Sequence, residues 1–437
     1  MKKLSGRSRA LRATACLAAT AAVTAMAAGC GNGAAATSGG RTTVTFDYLW
    51  TGTEAQKLQQ IIAQFNASQK QIKVVGVSNP DMQKQLASMS SSNGSFDISD
   101  NFGNNVGSWA AKGILAPLNS YMQSAGMSTG DFIQAAMDEV TYKGQVYSLP
   151  IAVHDFELVY NKTEFAAAGI SSPPVTMQQL ATDIGKLTKV NSSGQITQLG
   201  LGNPDTGTTL TTLGYAFGGT WDGPHNDTPS PQDPGNLAAL NFYTKNITDK
   251  YGASNVAKFT AGWGQYGSPQ DPFYTGKVAM IIDGEWQPVM ISQNAPHLDW
   301  GVTDIPYPAN DPALKGTTQL TASTLFIPAN APNKQAAFTF LKYLTSPSAM
   351  LKFSLALGNL PARTSLLDNP AFNSIPHFSV WLQALKSPNV HTLASQPYSQ
   401  QYSTDLAAAL NSALLGSTSP VKALAGVASQ AKSYGTP

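Results

Sequence analysis

The strongest constraint on the fold is an alternation of strand-like and helix-like segments along the chain. Residues 42–49 (TTVTFDYL) are β-branched or aromatic at most positions, with apolar side chains at every second one, which predicts a strand. Apolar residues then recur at helical spacing from near Glu54, and residues 72–77 (IKVVGV) predict the next strand. This order predicts an α/β domain with a largely parallel sheet.

The alternation starts again in a second region of the chain. Residues 142–150 (YKGQVYSLP) predict two short strands around a Lys-Gly turn, and residues 176–179 (TMQQ) predict a helix that begins with a capping box. The apolar run 278–282 (VAMII) is typical of a strand buried on both faces. Residues 203–235 and 263–276 are rich in Gly, Pro, Asp and Asn, which predicts long loops of the kind that carry function.

The N-terminal segment predicts export. A basic front and an uncharged stretch predict a signal peptide over residues 1–29. The sequence AAGC at 27–30 resembles a bacterial lipobox, in which Cys30 becomes the lipidated first residue; cleavage after residues 25–27 (AMA) is the alternative. Cys30 is the only cysteine beyond the signal, and one unmodified thiol is unusual in an oxidising exterior. Residues 30–41 then predict a flexible linker.

Charge and motif content exclude several functions. Five of the 27 basic residues lie in the predicted signal, which leaves 22 against 25 acidic residues and no basic stripe for nucleic acid. The five histidines are far apart, and no metal, phosphate-loop, dinucleotide or serine-hydrolase motif is present. We therefore expect no metal, no cofactor and no enzymatic activity.

Tryptophans at strand ends and in polar loops suggest the ligand class. Trp50 ends the first predicted strand, Trp286 follows the strand at 278–282, and Trp221 and Trp263 lie in Gly-rich loops. An indole face packs against the C–H face of a pyranose, and nearby polar side chains bind its hydroxyls. Because ligands of open α/β sheets bind beyond the carboxyl ends of strands, Trp50 and Trp286 are the favoured site residues. Core packing remains the alternative for each tryptophan.

Several segments in order carry a resemblance to a known family. They are FDISD (96–100), GILAPL (113–118), YKGQVYSLPIAV (142–153), LVYNKTEFAAAGISSPPVTMQQL (158–180), FYTGKVAMIIDGEW (273–286), IPANAPNKQAAFTFLKYLTSPSA (327–349) and GNLPARTS (358–365). Together they resemble the extracellular solute-binding proteins of family 1, the sugar-capturing components of ABC importers.

The resemblance implies a two-lobed, type II periplasmic-binding-protein-like α/β fold. Each lobe would be a mostly parallel sheet flanked by helices, with the ligand cleft at the hinge. Lobe 1 would comprise residues 42–152 and 305–345, and lobe 2 residues 153–304 and 346–437. The protein would capture a carbohydrate by hinge closure and deliver it to an ABC permease, as a monomer anchored to the membrane through Cys30. Alternatives are a secreted polysaccharide hydrolase and a sensory or structural lipoprotein.

Residue types and the resemblance together predict a set of ligand-binding candidates. They are Trp50, Glu54, Asp100, Asn101, Phe102, His154, Asp155, Asn203, Asp205, Trp221, Trp263, Trp286 and Arg363. For Arg363 a structural ion pair is the alternative, and for His154 a hydrogen bond at the hinge. The low charge and the aromatics favour a neutral mono- or oligosaccharide over an acidic one.

Overall fold

The structure is a computed structural model of the chain. It describes residues 37–38, 40–94, 96–202, 206–223, 227–393 and 395–434. The predicted signal, Cys30, most of the predicted linker, Asn203 and Asp205 lie outside the described residues.

Strands and helices alternate along the described chain. The strands are β1 (Thr37–Ser38), β2 (Arg41–Tyr48), β3 (Ile72–Ser78), β4 (Ile98–Phe102), β5 (Thr141–Tyr142), β6 (Gln145–Val146), β7 (Ser148–Asn161), β8 (Lys189–Val190), β9 (Ile196–Gln198), β10 (Met280–Gly284), β11 (Trp300–Thr303), β12 (Thr318–Phe326), β13 (Leu360–Pro361) and β14 (Val390–His391). The helices are α1 (Gly52–Ser68), α2 (Met82–Ser90), α3 (Val106–Ala111), α4 (Asn119–Ser124), α5 (Gln134–Val140), α6 (Lys162–Ala167), α7 (Met177–Leu187), α8 (Thr206–Ala216), α9 (Pro234–Tyr243), α10 (Asp249–Tyr251), α11 (Ala253–Thr260), α12 (Gln287–Asn294), α13 (Lys334–Leu344), α14 (Pro347–Leu357), α15 (Phe378–Ala384), α16 (Ser399–Leu414) and α17 (Pro420–Ala431).

One long strand, β7, organises the main sheet. Its first part, residues 148–155, pairs with β12, whereas residues 156–161 pair with β10 and β11. The sheet therefore runs β3-β2-β4-β12-β7-β10. The midpoint of β7 is the place where the neighbouring strand changes.

The sheet is mixed, so the prediction of mostly parallel sheets is wrong for the strands around β7. The first three long strands, β2, β3 and β4, are parallel because a helix crosses over between successive strands. In contrast, β10, β11 and β12 all run antiparallel to β7, and β12 is also antiparallel to β4.

The structure contains the turn and the helix cap that the sequence predicts. The Lys143-Gly144 turn joins β5 and β6 with φ angles of 47° and 74°. Thr176 and Gln179 form the predicted capping box of α7. Residues 203–235 are not one long loop, because α8 forms within them. Thr211 in α8 donates from Oγ1 to Gln319 Oε1 at 2.6 Å, so tertiary contacts override the weak helix propensity of a Thr/Gly-rich segment.

The outer edge of β3 is hydrogen-bonded by side-chain amides of α1 and the residue after it. Asn66 donates to the Val74 carbonyl at 2.8 Å and accepts from its N–H at 2.7 Å. Gln69 makes the same pair of bonds with Ile72, both at 2.8 Å. Arg41, predicted as linker, instead begins β2 and donates from Nε to the Ile72 carbonyl at 3.0 Å. Side chains thus occupy backbone groups that a further strand would use.

Two negative findings concern the described residues alone. No helix among them is both long enough and apolar enough to cross a membrane. Within the same part of the chain, no group of three or more His, Cys, Asp or Glu side chains is arranged to hold a metal ion.

Candidate functional site

A cavity of about 710 Å³ opens at the midpoint of β7. Side chains alternate between the two faces of a strand, so His154 and Phe156 line the cavity while Asp155 points to the opposite face. The cavity is lined by Trp50, Glu54, Phe102, Gly103, Asn104, Glu139, His154, Phe156, Thr208, Tyr266, Ile282, Asp283, Trp286, Met290, Thr321, Ser323 and Asn359.

His154 connects three segments in the cavity wall. Its Nδ1 lies 2.7 Å from Oε1 of Glu285, which follows β10, and its Nε2 lies 2.9 Å from Oγ of Ser323 on β12. In the tautomer with the proton on Nδ1, this N–H donates to the Glu285 carboxyl oxygen and Nε2 accepts from the Ser323 hydroxyl. Glu285 is fully buried, and its second oxygen has no partner among the described residues. His154 is therefore the described hydrogen-bond partner of that buried carboxyl group.

Aromatic neighbours fix the position of the Trp286 side chain on one side of the cavity. Its ring meets those of His154 and Phe156 edge-on, at centroid distances of 5.8 and 5.7 Å. Its Nε1 donates to the Tyr266 hydroxyl at 2.5 Å. A Cβ on Gly284 would come within 2.3 Å of the indole, so only glycine leaves room for the ring there. These contacts give Trp286 one defined position in the wall.

The opposite side of the cavity also presents aromatic side chains. Trp50 follows β2 and packs edge-on against Phe353, with ring centroids 5.2 Å apart. Phe102 is the last residue of β4 and is 49% exposed. Both lie at the carboxyl ends of parallel strands, the edge at which α/β sheets bind ligands. The cavity thus lies between aromatic groups supplied by two separate sets of strands.

Two buried carboxyl groups of the wall have raised pKa values. Burial raises the pKa of Asp283 to about 7, although hydrogen bonds from Gly284, Gln287 and Tyr266 lower it. Burial likewise raises the pKa of Glu139 to about 8. At the rim, partial desolvation raises the pKa of Glu54 and the nearby His154 lowers it.

The structure places Asp100 and Asn101 beneath the cavity and not in its wall. Asp100 is 4% exposed and accepts a hydrogen bond from the Leu49 N–H at 2.8 Å, which ties β4 to the end of β2. Asn101 donates to Gln85 Oε1 at 2.6 Å and accepts from Asn105 at 2.7 Å. Both side chains therefore support the loop that presents Phe102.

The structure places the remaining described candidates outside the wall. Arg363 donates to Asp131 at 3.0 Å and lies over the Phe132 ring, as the ion-pair alternative predicted. Trp221 is 1% exposed and donates to the Thr211 carbonyl at 3.0 Å. Trp263 is half-buried and packs edge-on against Phe259.

Other wall residues were not among the sequence candidates. Tyr266 is 39% exposed and lies in the segment 263–276, which the sequence predicts to be a functional loop. That loop was the one sequence feature that could have identified it. Thr321 and Ser323 lie on β12, and Asn359 precedes β13. The signal on β12 was the presence of polar residues in a strand that is otherwise buried. Such residues usually have a structural or functional role, and the sequence analysis did not use them.

Replacing Asp100 by asparagine tests the raised pKa values directly. Burial raises the pKa of Asp100 to about 8, and an unfolded aspartate titrates near 4. Between about pH 4 and 8 the folded state therefore binds more protons, so this group lowers stability as pH rises, by at most about 1.4 kcal/mol per unit. We expect Asp100→Asn, relative to wild type, to gain stability steadily over that window in urea unfolding. Exposed Asp299→Asn is the matched control, and parallel curves for Asp100→Asn and wild type would contradict the prediction.

Comparisons with known proteins agree with this architecture. The chain is 23% identical over 333 residues to a maltotriose-binding protein of Pyrococcus abyssi, covering 74% of this chain and 67% of that one. It is 25% identical over 302 residues to a mannitol-binding protein of Pseudomonas aeruginosa, covering 66% of each. The chain thus spans about two thirds of the length of these curated relatives.

A solved structure confirms the fold class. CpMnBP1 with mannobiose bound superposes with a TM-score of 0.74 at 26% identity, covering 89% of this chain and 99% of that one. A family model described as bacterial extracellular solute-binding protein matches residues 60–380. The chain belongs to the family of bacterial extracellular solute-binding proteins.

Proposed function

We propose that the cavity captures a carbohydrate and that the protein delivers it to an ABC transporter permease. The observation that carries this proposal is a cavity of about 710 Å³ between Trp50 and Phe102 on one side and Tyr266 and Trp286 on the other. Aromatic side chains on both sides, together with carboxyl and hydroxyl groups in the same wall, suit the apolar faces and the hydroxyl groups of a pyranose.

The comparisons support the same ligand class. The relatives are named for binding maltotriose and mannitol, and CpMnBP1 holds mannobiose. Members of the matched family are extracellular, so the protein acts outside the cytoplasm. We propose Trp50, Glu54, Phe102, His154 and Trp286 as ligand contacts.

We further propose that closure occurs by bending at β7. This strand pairs with β12 up to Asp155 and with β10 from Phe156 onward, so a bend at its midpoint would move the two sets of strands toward each other. Lobes of residues 42–152 with 305–345 and 153–304 with 346–437 remain our proposal. The change of partner strand between Asp155 and Phe156 supports a boundary in this part of β7.

We propose binding without bond cleavage. A glycosidase needs two available carboxyl groups across the scissile bond. In the wall, Glu139 and Asp283 are already engaged by hydrogen bonds from the protein. Incubation with the bound sugar should therefore return it unchanged on chromatography, and a shortened product would favour the hydrolase alternative.

A thermal-shift screen tests the carbohydrate proposal. A ligand that binds only the folded state raises Tm, by an amount that grows with its concentration over Kd. We expect at least one sugar among mannobiose, maltotriose, cellobiose, mannitol and common hexoses to raise Tm. A panel without any shift, confirmed by calorimetry, would contradict the proposal.

Cys30→Ser tests the lipid anchor in the producing cell. A diacylated cysteine would hold the chain at the membrane, whereas serine cannot form the thioether. We expect the variant to move from the membrane fraction to the soluble fraction, while Cys16→Ser, inside the predicted signal, remains membrane-bound. Retention of a correctly cleaved Cys30→Ser protein in membranes would contradict lipidation.

A further inference from the structure

The charged side chains of the cavity wall are acidic. Glu54, Glu139 and Asp283 line the cavity, and no lysine or arginine is among its described lining residues. His154 also lines it, but both of its ring nitrogens are engaged, one by the carboxyl group of Glu285 and the other by a hydroxyl group. The wall therefore offers a ligand anion no free cationic partner.

The protein already uses two of these three carboxyl groups. Glu139 accepts hydrogen bonds from the Thr392 hydroxyl and, at 2.9 Å, from the Ala322 N–H. Asp283 accepts from Tyr266 at 3.0 Å and from the Gln287 amide at 2.7 Å. These groups shape the wall but have little hydrogen-bonding capacity left for a ligand.

Glu54 differs from both. It lies in the first turn of α1 and is exposed, and its side chain makes no hydrogen bond or ion pair with any described residue. Partial desolvation raises the pKa of Glu54, whereas the nearby His154 and the positive end of the helix dipole favour the ionised carboxylate. Asp100 lies nearby: burial raises its pKa, two backbone hydrogen bonds lower it, and the charges of Asp47 and Glu54 raise it further. One open carboxylate, that of Glu54, thus lines the cavity.

We propose that the cavity prefers sugars that carry a protonated amino group, with Glu54 as the counter-ion. An ammonium group brings three donors and a positive charge to a carboxylate that has no partner, which gives a charge-assisted hydrogen bond. A uronic acid or sugar phosphate would instead bring its anion into a carboxyl-lined cavity with no cation to pair it. This inference rests on the proposed carbohydrate function and refines its ligand class.

Calorimetry with matched sugars tests the preference. The probes are glucose, mannose, galactose and cellobiose, each compared with its free-amine, N-acetylated and uronic acid counterparts at a pH at which the amine is protonated. We expect a free-amine sugar to bind about tenfold more tightly than its neutral and N-acetylated counterparts, and the uronic acid to bind most weakly. In Glu54→Gln the ratio of amine to neutral affinity should fall close to one, whereas Asp299→Asn should retain it.

The outcomes separate this inference from the function on which it rests. If a neutral sugar binds and its aminated counterpart binds no more tightly, the preference is wrong and carbohydrate capture stands. The same holds if mannobiose or maltotriose binds and none of the aminated sugars does. If Glu54→Gln keeps the full preference, Glu54 is not the counter-ion. If no sugar of either panel binds, the proposed function fails together with the inference.

Discussion

Trp286→Ala is expected to weaken carbohydrate binding by about 1–3 kcal/mol, which is roughly a five- to 150-fold loss in affinity. The indole lines the cavity, and its position is set by the tilted rings of His154 and Phe156 and by Tyr266, which accepts its N–H. Truncation removes the stacking surface and also the group that positions the Tyr266 hydroxyl. Calorimetry with the sugar that gives the largest Tm shift measures the effect.

Trp263→Ala is the matched control, since it deletes a half-buried tryptophan that lies outside the wall. We expect it to leave the affinity unchanged, and we expect Trp286→Phe to retain part of it. Wild-type affinity in a folded Trp286→Ala protein would remove this residue from the binding site.

His154→Ala is expected to destabilise the fold by about 3 kcal/mol, because it leaves the buried Glu285 carboxyl group without its described partner. The Ser323 hydroxyl loses a partner in the same substitution. The free energy of unfolding from urea titration measures the loss. Adding Glu285→Gln should restore part of the stability, since a neutral amide is less costly to bury unpaired than a charge.

The control for this experiment is His297→Ala, at an exposed histidine, which should unfold like wild type. If His154→Ala unfolds at the wild-type urea concentration, or if Glu285→Gln adds a further full loss to it, the coupling across β7 is absent.

The sequence predicted those site residues whose position follows from strand ends. Trp50 and Trp286 each follow a strand that apolar or β-branched residues reveal, and the carboxyl-end rule then assigns them to the binding edge. Phe102 was predicted from the family resemblance instead, through the segment that ends in β4. Secondary structure in these places depends on local pattern, which a single sequence contains.

The other site residues depend on long-range contacts that local pattern does not contain. Arg363 lies 232 positions from Asp131, so the sequence offered an ion pair as an alternative but could not identify its partner. Only half of β7 was recognised as a strand, and the alternation that separates His154 from Asp155 was therefore missed. Tyr266 enters the wall through a segment without periodicity. The mixed sheet has the same origin, because the direction of β12 against β7 is decided by a chain return of more than 150 residues.

The side-chain amides of Asn66 and Gln69 affect how readily the protein self-associates at high concentration. An open strand edge is a template on which another polypeptide can add its own strand, and Val75 and Val77 on β3 are exposed beside that edge. Because the outward N–H and C=O groups of Val74 and Ile72 are already taken, a neighbouring copy finds apolar surface there but no backbone ladder to extend. Helix α1 and the residue after it thus disfavour strand addition at the β3 edge of the sheet.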